Sequence, residues 1–229
     1  METSNQPDYL RKLGEYALRY VKPGQTIGLG TGRAASAFIR ALADSKIQIR
    51  GVPTSHSSAE LARSLGIELV ELDVARRLDG DFDGADEVDG KLNLIKGNGG
   101  ALLREKIVAA ASRRRIFLVG EEKLVSRLGS RGNLPIEVLP FAAPYAAREI
   151  AKHGLKPKLR TDQHGNNIIT DNGNYLFDCR VSAIRSPSAL ERDLRAIPGI
   201  IGTGLFIGLA DVVLVASENG RITTLRKRP

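Results

Sequence analysis

Apolar residues recur at helical spacing near the N-terminus, where Leu10, Leu13, Ala17 and Val21 share one face of the segment Asp8 to Val21 before Pro23-Gly24 ends it. A strand-like run, QTIGLG, comes next. It leads into a helix in which Ala34, Ala37, Phe38, Ala41 and Leu42 repeat at i, i+3, i+4, i+7 and i+8. The run IQIRGV predicts a strand, Ser57 to Leu65 a helix and IELVEL a further strand. Beyond a glycine-rich stretch, a helix near Ala101 to Ser112 runs into IFLVG. Alternation of this kind predicts a parallel sheet covered by helices.

The rhythm changes after residue 132. IEVLP, a helix from Tyr145 to His153, and the strand-like runs KPKLRTD, NNIITD and NYLFDCRV follow closely, which predicts a small α+β unit. His164-Gly165-Asn166 and Asp171-Asn172-Gly173 mark its turns. Pro187 opens a helix through Arg195, and Pro198-Gly199 closes it. The last apolar run, DVVLVAS, reads as a buried strand that rejoins the first sheet. No internal repeat or low-complexity linker is visible.

Composition narrows the function classes. A chain of 229 residues with 42% hydrophobic composition suits one large domain or a domain with a smaller appendage. No run approaches the roughly 18 apolar residues of a membrane helix, and METSNQPDYLRK lacks the form of a leader, so a cytoplasmic protein without a membrane partner is expected. The single cysteine, Cys179, reads as a small buried strand residue. His56, His153 and His164 are scattered without metal-ligand spacing, so no metal is expected. The net charge of +8 is spread along the chain with few aromatics between the basic residues. Its two short clusters, Arg113 to Arg115 and Arg226 to Arg228, fall at element ends, which argues against nucleic acid, while a positive field still gathers small anions.

Three segments carry candidate chemistry. Gly28-Leu29-Gly30-Thr31-Gly32-Arg33 lies between a strand and a helix, where glycines admit an anion to backbone N–H groups at the helix start. A dinucleotide fold would place an acid about 20 residues on, but Ser45 to Ala59 contains none, so the loop suits phosphate without NAD. The stretch from Asp79 to Gly90 imitates a calcium loop at Asp79, Asp81, Asp83 and Gly84, yet its twelfth position is Gly90 where a glutamate is needed. Asp83 and Asp86 instead suit proton transfer and orientation. In Lys96-Gly97-Asn98-Gly99-Gly100-Ala101, a lysine and exposed backbone N–H groups match the needs of a developing oxyanion, with Glu105 as a candidate base on the following helix. Taken alone, Glu105 reads as part of a charged helix face paired with Arg104 or Lys106.

Read in order, GLGTG, PTS at Pro53 to Ser55, DGADEVDG, KGNGGALLREK, LPIEVLP, TDNGN and the late Pro198-Gly199-Ile-Ile with GLF resemble ribose-5-phosphate isomerase type A over nearly the whole chain. The resemblance implies interconversion of ribose 5-phosphate and ribulose 5-phosphate, in the non-oxidative pentose phosphate pathway, through an enediol and without metal, nucleotide or other cofactor. It implies Glu105 as the base, Lys96 with Gly97, Asn98 and Gly99 holding the enediolate, and Asp83 and Asp86 opening the ring and shuttling hydroxyl protons. Substrate contacts are implied at Gly30, Thr31, Gly32, Arg33, Ala34, Gly84, Ala85 and Lys123. The implied α/β fold is a Rossmann-like parallel-sheet domain, residues 1–132 plus 206–229, carrying a small inserted α+β (ferredoxin-like) domain, residues 133–205. Association as a homodimer or homotetramer is expected.

Three positions depart from the family pattern. Arg33 and Ala34 stand where its phosphate loop continues with Ser-Thr, so two hydroxyls are absent and a guanidinium is offered in their place. Asn98 stands for a usual glycine, which a left-handed backbone would accommodate. These departures motivate a rival, an isomerase of another phosphorylated aldose. A non-catalytic sugar-phosphate sensor is the second rival. Such sensors usually carry a DNA-binding domain, and only about 20 residues precede the first strand, too few for one.

Overall fold

A computed structural model of the chain describes residues 8–72 and 77–227. The first seven residues and Arg228 of the second basic cluster lie outside the described residues. In chain order the elements are α1 (Asp8–Ala17), β1 (Thr26–Leu29), α2 (Arg33–Ser45), β2 (Arg50–Pro53), α3 (His56–Ser64), β3 (Glu68–Leu69) and β4 (Gly80–Gly84). Then come β5 (Glu87–Val88), β6 (Leu94–Ile95), α4 (Leu102–Ala111), β7 (Arg115–Gly120), β8 (Asn133–Val138), α5 (Ala143–Lys152), β9 (Lys156–Leu159) and β10 (Tyr175–Arg180). The chain closes with α6 (Pro187–Arg195), β11 (Ile200–Thr203), β12 (Leu205–Phe206), β13 (Val212–Ala216) and β14 (Ile222–Arg226). It forms two compact units, one of Met1–Gly84, Ile107–Lys123 and Leu209–Pro229, the other of Ala85–Lys106 and Leu124–Gly208.

The first unit is built on a sheet ordered β14-β13-β7-β4-β1-β2-β3, parallel except for the β13–β14 hairpin. DVVLVAS does rejoin this sheet, as β13 beside β7. The apolar faces of α1 and α2, through Leu10, Leu13, Phe38 and Leu42, bury against Ile27, Leu29, Phe82 and Leu118 of the sheet. Phe38 stacks on Phe82 with ring centroids 4.3 Å apart. Gly14 allows α1 to cross α2 closely, since a Cβ there would lie 2.7 Å from the Ala37 carbonyl oxygen. The chain winds from β1 to β2 and β3 on one side, then returns at β4 and builds outward through β7 and β13, so the strand order reverses between β1 and β4.

The second unit contains an antiparallel sheet ordered β11-β8-β10-β9, crossed by α5 and α6 in the sequence βαββαβ, which is the ferredoxin-like arrangement. One face is apolar: Leu134, Ile136, Val138, Phe177 and Cys179 bury with Ala146 and Ile150 of α5 and Leu194 of α6. Asn133, Glu137 and Asp178 alternate with these residues and point to the opposite face. The unit is larger than the expected small domain of 133–205, because Ala85–Lys106 and 124–132 group with it. Short strands explain the grouping. β6 pairs with β5 and β12, Ile95 opposite Leu205, and the buried Glu87 carboxylate accepts the Gly129 and Arg131 N–H groups at 2.6 and 2.7 Å. NNIITD, expected as a strand, makes only isolated bridges at Asn167 and Ile169, and Ile169 is exposed.

Candidate functional site

In the first unit, the glycine loop leaves the C-terminal end of β1 beside β4, at the strand-order reversal where open α/β sheets bind ligands. Gly30 is required there by space: a Cβ would lie 2.2 Å from Asp83 Oδ1 and 2.6 Å from Asp83 Cα. Gly32 is required by conformation, with φ of 99° as it caps α2. Asp83, fully buried at the end of β4, accepts the Thr31 N–H at 3.1 Å and the Gly84 N–H at 2.7 Å. The Thr31 hydroxyl meets the Thr54 and Ser55 hydroxyls, each at 2.8 Å, and Ser55 caps α3 through the Ser58 N–H. The loop is thus tied to the PTS motif.

Arg33 is exposed at the first position of α2, and Ala34 lies near Gly84, 3.8 Å from where a Gly84 Cβ would stand. Lys123 is half-buried on the 3-10 turn Glu121–Lys123 that follows β7. Since Gly80–Gly84 is a sheet strand, the acidic stretch does not curl into a cation loop. Asp79 accepts the Thr26 N–H, and Asp89 accepts the Lys91 and Asn93 N–H groups. Among the described residues no group of three His, Cys, Asp or Glu side chains gathers to hold a metal.

In the second unit, Lys96 follows β6 and its N–H is fixed by the Gly204 carbonyl at 2.9 Å. Its ammonium lies 3.2 Å from Glu105 Oε2, with the two side chains only 3% and 4% exposed. Glu105 sits in the first turn of α4, where the helix dipole favours a carboxylate. Between them, Gly97 and Gly100 take φ of 108° and 84° and turn the chain into the helix. Asn98 is not left-handed, so the expected reason for its tolerance is replaced by another: its side chain accepts an N–H from Asn133 at 3.1 Å. Asp86, half-buried, accepts the Asn98 N–H at 3.0 Å. Ala85 precedes it, half-buried, and Gly99 is exposed.

The charged-face reading of Glu105 fails, since neither neighbour in sequence pairs with it. Arg104 binds Asn172 Oδ1 and the Asp171 carbonyl, both at 2.8 Å, and Lys106 binds Glu191 at 2.8 Å. Burial lowers the Lys106 pKa despite that carboxylate. Sequence reasoning missed Arg160, which reaches the loop carbonyls, Asp178, which holds Arg160, and Glu137, which reaches the TDNGN turn. Cys179 lies in the core of β10, where burial pushes its thiol well above the ordinary value.

A buried ion pair adds little net stability on its own, and here one sits at a glycine turn in a protein whose sheet topology is of the α/β enzyme class. The family model of ribose 5-phosphate isomerase A (phosphoriboisomerase A) matches residues 50–220. Ribose-5-phosphate isomerase A of Parvibaculum lavamentivorans is 47% identical over 225 residues, covering 94% of this chain and 97% of that one. The structure of ribose 5-phosphate isomerase A from Methanocaldococcus jannaschii superposes with a TM-score of 0.90 at 38% identity, covering 96% and 99% of the two chains. A D-ribose-5-phosphate isomerase in complex with phospho-erythronic acid gives 0.92 at 37% identity, covering 97% and 99%. The chain belongs to the ribose 5-phosphate isomerase A family.

Proposed function

We propose that this enzyme interconverts D-ribose 5-phosphate and D-ribulose 5-phosphate through an enediolate, with Glu105 carrying the proton between C2 and C1. The observation that carries this reading is the buried Lys96–Glu105 pair at 3.2 Å, set at a glycine turn into a helix. Glu105 removes the C2 proton of the open-chain aldose and returns it to C1, while the O2 hydroxyl proton passes to O1. Lys96 balances the charge that moves from the carboxylate to the enediolate oxygens, and the loop of Gly97, Asn98 and Gly99 adds to it through the Gly97 and Gly99 N–H groups, the Asn98 N–H being held by Asp86. Asp83 and Asp86 serve ring opening and the hydroxyl protons. Gly30, Thr31, Gly32, Arg33 and Ala34 at the start of α2, with Gly84, Ala85 and Lys123, take the phosphate and the sugar chain. The reaction is a net isomerisation, so it consumes no external oxidant or reductant. Cytoplasmic location, a place in the non-oxidative pentose phosphate pathway and a homodimer or homotetramer complete the proposal.

Glu105→Gln keeps the size of the side chain but removes the base, so turnover falls by about two orders of magnitude or more. Deuterium placed at C2 of the substrate should appear in part at C1 of the product with wild type, since one carboxylate serves both carbons. Near-normal turnover in the variant overturns this role. The exposed Arg33 at the helix start favours one alternative, preference for another phosphorylated aldose. Higher kcat/KM on a different phosphopentose or phosphohexose than on ribose 5-phosphate would establish that alternative.

A further inference from the structure

The polar face of the antiparallel sheet holds a cation with no role in the reaction described above. Arg160, directly after β9, forms a two-pronged ion pair with Asp178 of β10, Nε to Oδ2 at 2.8 Å and Nη2 to Oδ1 at 2.6 Å. Its remaining prong, Nη1, donates to the Gly97 and Asn98 carbonyls at 3.2 and 3.0 Å. Asn133 donates to both Asp178 Oδ1 and Asn98 Oδ1, at 2.9 and 3.1 Å. The Arg160 backbone is itself fixed, its N–H by the Leu176 carbonyl and its own carbonyl by the Ile168 N–H. Burial alone would raise the Asp178 carboxyl, but the bonds from Arg160 and Asn133 bring it net below its ordinary value, as expected of a firmly ionised partner.

A trans peptide points its C=O and N–H in opposite directions. The Gly97–Asn98 peptide is therefore gripped at both ends, its carbonyl by Arg160 and its N–H by Asp86. Holding the Asn98 carbonyl likewise turns the Gly99 N–H away from the guanidinium. We propose that Arg160, anchored by Asp178, is a positioning residue that sets the peptide planes of the Lys96–Gly100 loop, thereby aiming the Gly99 N–H and the Asp86 carboxylate for the reaction. The proposal rests on the isomerase reading for its catalytic consequence, while its structural half is independent of it. Arg160 touches no reacting atom; it acts through the loop.

The test compares wild type, Arg160→Ala and Arg160→Lys for kcat and KM on ribose 5-phosphate and for hydrogen exchange at the Asn98 and Gly99 amides. Lys keeps the charge beside Asp178, but a single ammonium lacks the fork that reaches Asp178 and two carbonyls together. The Lys variant should melt close to wild type, lose about tenfold or more in kcat with KM changed less than about threefold, and exchange the Asn98 amide faster. Added guanidinium should restore part of the turnover lost in Arg160→Ala. Wild-type kcat and wild-type exchange in the folded Lys variant overturn the proposal, as does a change confined to KM. Should wild type leave ribose 5-phosphate unconverted while the exchange difference persists, the isomerase reading fails and the loop clamp stands.

Discussion

Replacing Lys96 with methionine removes the ammonium that lies 3.2 Å from Glu105 at a site where both side chains are almost fully enclosed. Breaking a buried pair from one side costs about 3–5 kcal/mol, because the remaining charge keeps its desolvation penalty and loses its counter-charge. The neighbouring Phe206 ring, with its centroid 5.6 Å from Lys96 Nζ, presents its π-face to cations and offers a carboxylate nothing in exchange. In a chain of this size each kcal/mol lowers the Tm by about 2–4 °C, so a fall of about 6–20 °C is expected. Adding Glu105→Gln leaves two neutral side chains in the same space, and the double variant should regain at least about half of the loss. The assay is urea and thermal unfolding at pH 7 of all four members of the cycle, with turnover measured alongside. Additive losses, with a coupling below about 0.5 kcal/mol, would refute the reasoning, since they would mean that the pair is not enclosed as a unit.

Gly30→Ala should destabilise by about 1–3 kcal/mol and abolish most activity, because the new methyl meets the Asp83 backbone; Gly90→Ala, with open space around it, should stay within about 0.5 kcal/mol of wild type. Equal urea midpoints for the two variants would contradict this. Burial raises the Asp211 carboxyl, but bonds from the Arg115 side chain and backbone bring it net below 3.8. Its stabilisation is present above that value and lost as pH falls through the lower folded one. Asp211→Asn should therefore cost about 1–2 kcal/mol at pH 7, with the gap to wild type closing below pH 3.8; a gap independent of pH is the contrary result. Cys179 should resist iodoacetamide in the folded chain and react only on unfolding, because its thiol is buried and its pKa raised; rapid labelling of native protein would remove it from the core.

The glycine loop, DGADE and the lysine–glutamate string were legible because each condenses its chemistry into a few consecutive residues. The helices were legible too, since α1, α2 and α5 bury one regular stripe. What stayed hidden depends on distance along the chain. Arg160 reaches carbonyls more than 60 residues away, and a lone arginine after a strand carries no mark of that partner. β5, β6 and β12 are two residues each, too short to display a period of two, yet they bind Ala85–Lys106 to the second unit. NNIITD misled because β-branched residues suggest a strand, whereas Asp162 gathers the His164 and Asn166 N–H groups into a turn at its start. Asn98 misled for a different reason: its partner is a side chain, Asn133, and not a special backbone angle.

The hydrogen bond from the Lys96 N–H to the Gly204 carbonyl sets an order of assembly on the ribosome. Lys96 and Glu105 are synthesised well before Gly204, which fixes Lys96 from the approach to β12. A nascent chain can therefore close Gly30 against Asp83 early, while the Lys96–Glu105 pair waits for residue 204 to leave the exit tunnel. A chain cut short before residue 204 holds both members of the buried pair without the hydrogen bond that fixes Lys96.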